Sequence, residues 1–134
     1  MKIDEIIEKT VNETILKLKM SGLMKDDGRT PYERTEEILK TYSAIVESDQ
    51  PTAKELSRKM GVILERLSDD YYYDVIRMMY FENQSREETA EYFDTSPTTI
   101  SRNKRRLVEE ITKSLFTDEV IEDLMRVKLV KDVQ

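Results

Sequence analysis

The sequence predicts an all-α protein, and three observations lead to that class. The 134 residues include only three glycines and three prolines, and 37% of the side chains are charged, a composition that fits helices rather than sheet. Apolar side chains recur three or four positions apart along most of the chain, which is the spacing of one helical face. Cap residues followed by proline stand where two of these patterns begin. We therefore expect helices throughout and no sheet.

The N-terminal half is predicted to form three helices. The first spans residues 3–20 with an amphipathic pattern, and the second runs over residues 31–46 after an N-cap at Thr30. The third spans residues 52–67, where Gly61 is a weak point worth about 1 kcal/mol. The apolar residues expected to be buried in the second and third helices are Ile38, Leu39, Tyr42, Ile45, Val46, Leu56, Met60, Ile63, Leu64 and Leu67.

A fourth helix is predicted to begin after a cap at Ser68 or Asp69 and to run through Glu82. Its apolar stripe consists of Tyr72, Val75, Ile76, Met79 and Tyr80. Three consecutive tyrosines begin at Tyr71 and could stack on unpaired bases, but they also begin this stripe, so core packing is favoured. The Met78-Met79 pair is likewise expected to be core rather than an adaptable binding surface.

Two helix-start signals follow in quick succession. Ser85 opens an S-x-x-E capping box and a short helix over residues 86–93. Ser96, followed by a proline, opens a longer helix over residues 97–116. Two helices separated by about three residues cannot lie antiparallel and must cross steeply. The spacing therefore predicts a helix-turn-helix.

Single residues in this segment fit the crossing. Ala90 is small enough for the two backbones to approach, and Ile100 supplies an apolar plug from the second helix. Asp94 lies in the turn, where a left-handed conformation is often needed. Aspartate adopts that conformation more readily than most residues.

The second helix of the pair carries four cations in residues 102–106, although the formal net charge of the chain is −6. Counting about 100° per residue from Ile100, the apolar Leu107 and Ile111 return to within roughly 20° of it. The side chains within about 40° of the opposite side are Thr98, Arg102 and Arg105. Lys104 lies about 40° from Ile100, so it either projects past the edge of the domain or lays its stem over the core.

These two faces predict a DNA-reading helix. Short hydroxyl side chains come first and guanidinium groups a turn later, which suits a helix whose N-terminal residues meet base edges in the major groove. A cationic face that meets only solvent would show the same charges, but the caps, the turn and the acid-free run over residues 95–108 favour DNA. The residues predicted to contact double-stranded DNA are Ser96, Pro97, Thr98, Thr99, Ser101, Arg102, Lys104, Arg105 and Arg106.

Missing residue types exclude most catalytic chemistry. The chain has no histidine and no cysteine, which removes zinc fingers, thiol nucleophiles and Ser-His-Asp triads. Its glycines are too scattered for a phosphate-binding loop. Glu87, Glu88 and Glu91 could form a carboxylate site, but a solvated acidic helix face is favoured. We therefore expect no enzyme activity, no cofactor and no metal.

Residues 70–115 resemble region four of the bacterial sigma factors. The residues that carry the resemblance are Val75, Ile76, Tyr80, Phe81, Glu82, Ser85, Glu88, Ala90, Phe93, Asp94, Thr99, Ile100 and Ser101. The resemblance implies a module whose second helix enters the major groove of a promoter. Residues 1–67 are too short and too acidic for the promoter-melting domain that a complete sigma factor has.

The whole layout resembles the small phage and prophage late-gene transcription regulators of the ArpU kind. That resemblance is carried by the run Ile-Asp-Glu-Ile-Ile at Ile3 and by the helix start Thr-Pro-Tyr-Glu-Arg-Thr-Glu at Thr30. It implies promoter binding that activates transcription, with host RNA polymerase as a partner. We divide the chain into a helical interaction or dimerisation region over residues 1–67, a DNA-binding domain over residues 68–116, and a short C-terminal helix and tail over residues 117–134.

Partners and location follow from the same features. No apolar run approaches the roughly 18 residues that cross a bilayer, so we expect no membrane contact, and the acidic N-terminus lacks the pattern of a signal peptide. We expect a cytoplasmic, nucleoid-associated bacterial protein that acts with a second copy of itself or with RNA polymerase. Two other functions stay open: a small phage packaging subunit of the terminase kind, and a helical adaptor that contacts only protein.

Overall fold

A computed structural model of the protein describes residue 3 and residues 28–117. The described part is helical and contains no strand, which confirms the all-α class. The predicted helix over residues 3–20, of which only Ile3 is described, and the predicted C-terminal helix lie outside it. None of the helices within residues 28–117 has the length and apolar character that a membrane span needs.

Six helical segments follow one another along residues 28–117. Most of them are connected by turns of only a few residues. Their bounds are α1 Pro31–Lys40, α2 Tyr42–Glu47, α3 Pro51–Leu67, α4 Asp74–Ile76, which continues as a π-helical turn over Arg77–Phe81, α5 Arg86–Tyr92 and α6 Pro97–Leu115.

The predicted N-caps begin three of these helices. The Thr30 hydroxyl accepts a hydrogen bond from the Glu33 amide at 3.1 Å at the start of α1. Ser85 forms a full capping box at the start of α5, and the Ser96 hydroxyl accepts from the Thr99 amide at 3.2 Å at the start of α6. Each cap satisfies a backbone donor that a helix start leaves unpaired, which stabilises the helix by about 1 kcal/mol.

The helix predicted over residues 31–46 is two helices, because the chain bends at Thr41. Its backbone has φ −106° and ψ 10°, and its hydroxyl donates to the carbonyl of Glu37 at 2.8 Å. Side chains on the two sides of this bend no longer share one face. Val46, predicted to be buried, is therefore 53% exposed, and Tyr42 is only partly buried.

The fourth helix begins later than predicted and changes its winding. Residues 68–73 form turns, and α4 begins only at Asp74. The Glu82 amide then bonds the carbonyl of Arg77, five residues back, at 3.0 Å. This wider π turn shifts the phase of the side chains that follow, so Met78 is buried at 4% exposure whereas Met79, predicted in the stripe, is half-buried.

One hydrophobic core joins the N-terminal helices to α6. Burying each large aliphatic side chain contributes about 1.5–3 kcal/mol, so this shared core couples the elements strongly. Its buried members are Ile38, Leu39, Ile45, Ala53, Leu56, Met60, Ile63, Leu64, Ile76, Tyr80, Leu107, Val108, Ile111 and Leu115. The domain boundary placed between residues 67 and 68 stays a prediction, and the described helices on its two sides share this core.

A second, smaller cluster holds α5 against α6. It contains Val75, Ala90 and Ile100, with exposures of 0%, 3% and 0%. Asp94 has φ +52°, the left-handed conformation expected for the turn. The small residue, the plug and the turn therefore lie where the sequence predicts them, and this cluster fixes the start of α6 on the body of the protein.

Candidate nucleic-acid interface

Helix α6 has two chemically different faces. Its inner face consists of side chains that are at most 1% exposed, namely Ile100, Leu107, Val108, Ile111 and Leu115. On the opposite side Thr98, Arg102 and Arg105 are exposed. The inner face is pinned to two clusters of apolar residues, so the outer face has a fixed orientation on the protein.

An open groove of ≈ 400 Å³ lies between this outer face and α1. It brings together five of the nine predicted contact residues with a tyrosine from α1. Its lining residues are Tyr32, Thr98, Ser101, Arg102, Lys104 and Arg105. Within residues 28–117, the lining contains no acidic side chain and three cationic ones, which gives this part of the surface a cationic character suited to an anionic ligand.

The two arginines of the groove differ in whether another side chain of the protein binds them. Within residues 28–117, no hydrogen bond or ion pair involves the Arg102 guanidinium, which is exposed. Arg105 lies 3.1 Å from a carboxylate oxygen of Glu109 but keeps 75% of its side chain exposed. An exposed i, i+4 pair of this kind contributes only about 0.3–0.5 kcal/mol, so phosphate can compete for Arg105.

Lys104 turns back toward the body of the protein. Its ammonium nitrogen lies 3.7 Å from a Glu36 carboxylate oxygen and 5.8 Å from the centre of the Tyr80 ring. The same Glu36 oxygen accepts a hydrogen bond from the Tyr80 hydroxyl at 2.6 Å, and burial, followed by that bond, raises the pKa of Tyr80 above its ordinary value. The Lys104 side chain thus lies over the body of the protein, as one of the two predicted alternatives has it, but its ammonium is paired with Glu36 and does not extend into water alone.

Arg106 is held by an acid of the preceding segment. Its two terminal nitrogens donate to the two Asp70 carboxylate oxygens at 2.8 and 2.9 Å, and the side-chain oxygen of Asn103 accepts two further bonds. A paired fork of this kind fixes the guanidinium in one orientation. Arg106, one of the predicted contact residues, is thus bound to the turn before α4.

The bond from Arg106 is also the main reason why the pKa of Asp70 lies below its ordinary value. A carboxyl group whose pKa is lower in the folded state contributes its full stabilisation at pH values above its pKa in the unfolded chain, which is about 3.9. That contribution is lost as pH falls through the folded pKa. Because both side chains keep some exposure, 24% for Asp70 and 45% for Arg106, we expect the pair to contribute about 1 kcal/mol or less.

Replacing Asp70 with asparagine should therefore lower stability by that amount near pH 7 and by progressively less as the solution is acidified. Urea unfolding followed by circular dichroism at several pH values measures the difference. The matched control is Asp69→Asn, which removes the same charge from the neighbouring exposed side chain. Equal losses for the two variants, or a loss at Asp70 that persists in acid, would contradict the pairing.

The hydroxyl residues divide between helix capping and the groove. Ser96 caps α6, its side-chain oxygen lies 3.0 Å from that of Thr99, and Pro97 occupies the first helical position. Ser101 accepts a hydrogen bond from Arg86 at 3.3 Å. Thr98 lies exposed in the groove. Thr98 and Ser101 therefore line the groove, whereas Ser96, Pro97 and Thr99 form the start of the helix.

Two residues at the site were missed from the sequence. Arg86 is the first residue of α5, and its contact with Ser101 places its guanidinium beside the outer face of α6. The helix-turn-helix geometry alone could have indicated it. Tyr32 belongs to α1, and no sequence signal joins it to the groove.

The structure also shows the positions of two other features that the sequence singled out, the glutamates of α5 and the first of the three tyrosines. Glu87, Glu88 and Glu91 are exposed, and Glu88 is occupied by the capping box of α5. Among residues 28–117, no cluster of three acids is arranged to hold a metal ion. Tyr71, expected in the core, is 74% exposed because the helix that would have buried it begins only at Asp74.

The site is therefore a helix-turn-helix pair with a cationic groove on the outer face of its second helix. Arg102 and Arg105 are its most accessible cations on α6, and Arg86 lies at its margin. No family model, curated protein or solved structure matches the chain. The geometry and charges of the groove are the basis for assigning a function.

Proposed function

We propose that the protein is a sequence-specific DNA-binding transcription regulator, of the phage or prophage late-gene or sigma-like kind, that reads the major groove with the helix over residues 97–116. The observation that carries the proposal is the exposed face of Thr98, Arg102 and Arg105 opposite the fully buried Ile100. In this role the protein is not an enzyme and needs no cofactor. It acts in the bacterial cytoplasm, at the nucleoid.

The proposed mechanism divides the groove residues by what they can reach. Thr98 and Ser101, in the first turns of α6, suit base edges, because the N-terminal residues of a recognition helix enter the major groove most deeply. Arg102 suits a guanine, whose two acceptors match a guanidinium fork. Arg105 and Arg86, toward the margins, suit phosphates, which position the helix without reading sequence.

Charge distribution supports a single binding orientation. Residues 31–83 carry seven basic and eleven acidic side chains, a net charge of −4. This part of the body repels the DNA backbone, while the open groove attracts it. Opposite charges then meet only when the protein approaches the DNA with the outer face of α6 toward the phosphates.

A partner completes the proposed regulator. Lys104 and Arg106 are engaged by Glu36 and Asp70, which leaves few cations for phosphate. One module with so few contacts binds DNA weakly. A second copy of the chain, or RNA polymerase bound nearby, would supply the remaining affinity.

Binding of the full chain to labelled mixed-sequence duplexes at increasing salt tests the proposal. With Arg86 and Arg105 on phosphates and Arg102 on a guanine, the slope of log affinity against log salt concentration should be about −2, at roughly 0.9 per neutralised phosphate. Repeated selection from a randomised duplex pool should then enrich one short motif. A chain that retards no duplex at low salt, or a pool that stays random, would contradict a sequence-specific regulator.

The second candidate is a helical adaptor that contacts only protein. It is favoured by exposed aromatic side chains beside the helix-turn-helix turn, where Tyr71 is 74% and Tyr92 is 59% exposed. Both rings contact Phe93, with centroids 5.8 and 5.0 Å away. An adaptor would fail to retard every duplex while keeping the same fold, so the same binding experiment separates the two candidates.

A further inference from the structure

Tyr32 is the groove residue that does not belong to α6. It is the second residue of α1 and precedes the segment that resembles a known DNA-binding module. Its ring packs against the shared core, and the central guanidinium carbon of Arg105 lies 5.9 Å from the ring centre. A helix that otherwise contributes to the core thus provides one wall of the groove.

The hydroxyl of Tyr32 has no acceptor within residues 28–117. The Tyr80 hydroxyl, by contrast, donates to Glu36 at 2.6 Å. Since no buried side-chain oxygen or nitrogen in the described part lacks a partner, the unpaired Tyr32 hydroxyl is open to solvent. Partial burial of the ring raises the pKa of Tyr32, so the phenol stays protonated and remains a donor near neutral pH.

The surroundings favour an anionic oxygen as the missing acceptor. Arg102 and Arg105 line the same groove, and none of the lining residues is acidic. The carboxylates of Glu36 and Glu109 also act on the Tyr32 hydroxyl. Each of them is paired with a cation, Glu36 with Lys104 and Glu109 with Arg105, which reduces their repulsion of an anion. A neutral donor beside two guanidinium groups is an arrangement that phosphate oxygens accept readily.

The two flanks of α6 are unequal in this respect. On one flank the guanidinium of Arg106 is locked onto Asp70. On the flank beside α1, the Tyr32 hydroxyl is unpaired and the Arg105 side chain stays exposed. A DNA strand passing the α1 flank would therefore find a donor and a cation held only by an exposed pair with Glu109. A strand passing the other flank would find the less exposed Arg106–Asp70 pair.

We propose that Tyr32 is a DNA-contact residue whose hydroxyl donates a hydrogen bond to a backbone phosphate of the strand that passes along the α1 side of α6. The inference rests on the proposed function, and it adds a residue of the N-terminal region to the DNA-binding surface.

The test compares the full chain with its Tyr32→Phe variant on the labelled mixed-sequence duplex over a range of salt concentrations. Losing one hydrogen bond to a charged group should weaken binding about tenfold. The salt slope should not change, because no charge is removed, whereas Arg105→Ala, which removes a phosphate contact, should make the slope shallower by about 0.9. The matched control is Tyr42→Phe, a half-buried tyrosine whose ring stacks on Phe81 at 5.4 Å and does not line the groove.

Each outcome decides a separate point. Weaker binding by Tyr32→Phe at an unchanged slope, with Tyr42→Phe binding like the unsubstituted chain, supports the phosphate contact. Equal binding by all three proteins overturns the role of Tyr32 and leaves the proposed function standing. If the unsubstituted chain binds no duplex, the proposed function fails, and the role of Tyr32 fails with it.

Discussion

Replacing Arg102 and Arg105 together with alanine is expected to abolish retardation of duplex DNA without unfolding the protein. The proposed contact of Arg102 with a guanine should contribute about 1–3 kcal/mol, and that of Arg105 with a phosphate about 1.5–3 kcal/mol. Together they should contribute about 2.5–6 kcal/mol if the contacts are independent. Both side chains are exposed, and the Arg105–Glu109 pair contributes little to stability. Mobility-shift titration measures the first effect, and circular dichroism with thermal melting measures the second.

The control for that variant must remove the same charge elsewhere. Lys54 and Arg58 are exposed on α3 and do not line the groove, so Lys54→Ala with Arg58→Ala lowers the net charge equally. This control should bind DNA nearly as well as the unsubstituted chain. If the Arg102 and Arg105 variant retains retardation, or if the control loses as much, the major-groove assignment of α6 is wrong.

Replacing Ile100 with aspartate is expected to unfold the helix-turn-helix. Ile100 is fully buried against Val75 and Ala90. Removing the aliphatic side chain should cost about 2–5 kcal/mol, and burying a carboxylate there adds a further penalty. Those losses approach the total stability of a small domain, which is about 5–15 kcal/mol. Far-ultraviolet circular dichroism should show loss of helix, and DNA retardation should disappear with it.

The companion variant Ile100→Val keeps an apolar side chain and should cost only about 0.5–1.5 kcal/mol. It should fold cooperatively and bind DNA. Because Leu107 and Ile111 of α6 pack into the core shared with α1 and α3, the N-terminal helices should melt together with the helix-turn-helix in the same transition. If the Ile100→Asp variant melts like the unsubstituted chain, the assignment of Ile100 to the core is wrong. If the unsubstituted chain melts in two separate transitions, the N-terminal helices and the helix-turn-helix fold independently.

Local features of the fold were predictable because local interactions produce them. The capping box at Ser85, the cap at Ser96 and the left-handed turn at Asp94 depend on residues close together in the chain. The buried face of α6 follows from the spacing of its aliphatic side chains. The predicted continuous helices were wrong at two places, at Thr41, whose hydroxyl bonds the carbonyl of Glu37, and at the π turn after Ile76, where the Glu82 amide bonds the carbonyl of Arg77.

The candidate site shows the same division. Sequence periodicity placed Thr98, Arg102 and Arg105 opposite the core, and the structure agrees. Sequence periodicity could not show that Arg106 is paired with an acid 36 positions earlier, or that α1 contributes Tyr32 to the groove.

The sequence by itself thus determined the all-helical class, the start of α6 and the division of that helix into an apolar and a cationic face. These depend on helical periodicity and on caps, whose partners lie within one turn. Only the tertiary structure decided which cations remain accessible, because Asp70 and Glu36 approach α6 from distant parts of the chain. Local sequence places a charge on a surface, but packing between helices decides whether another charge already neutralises it.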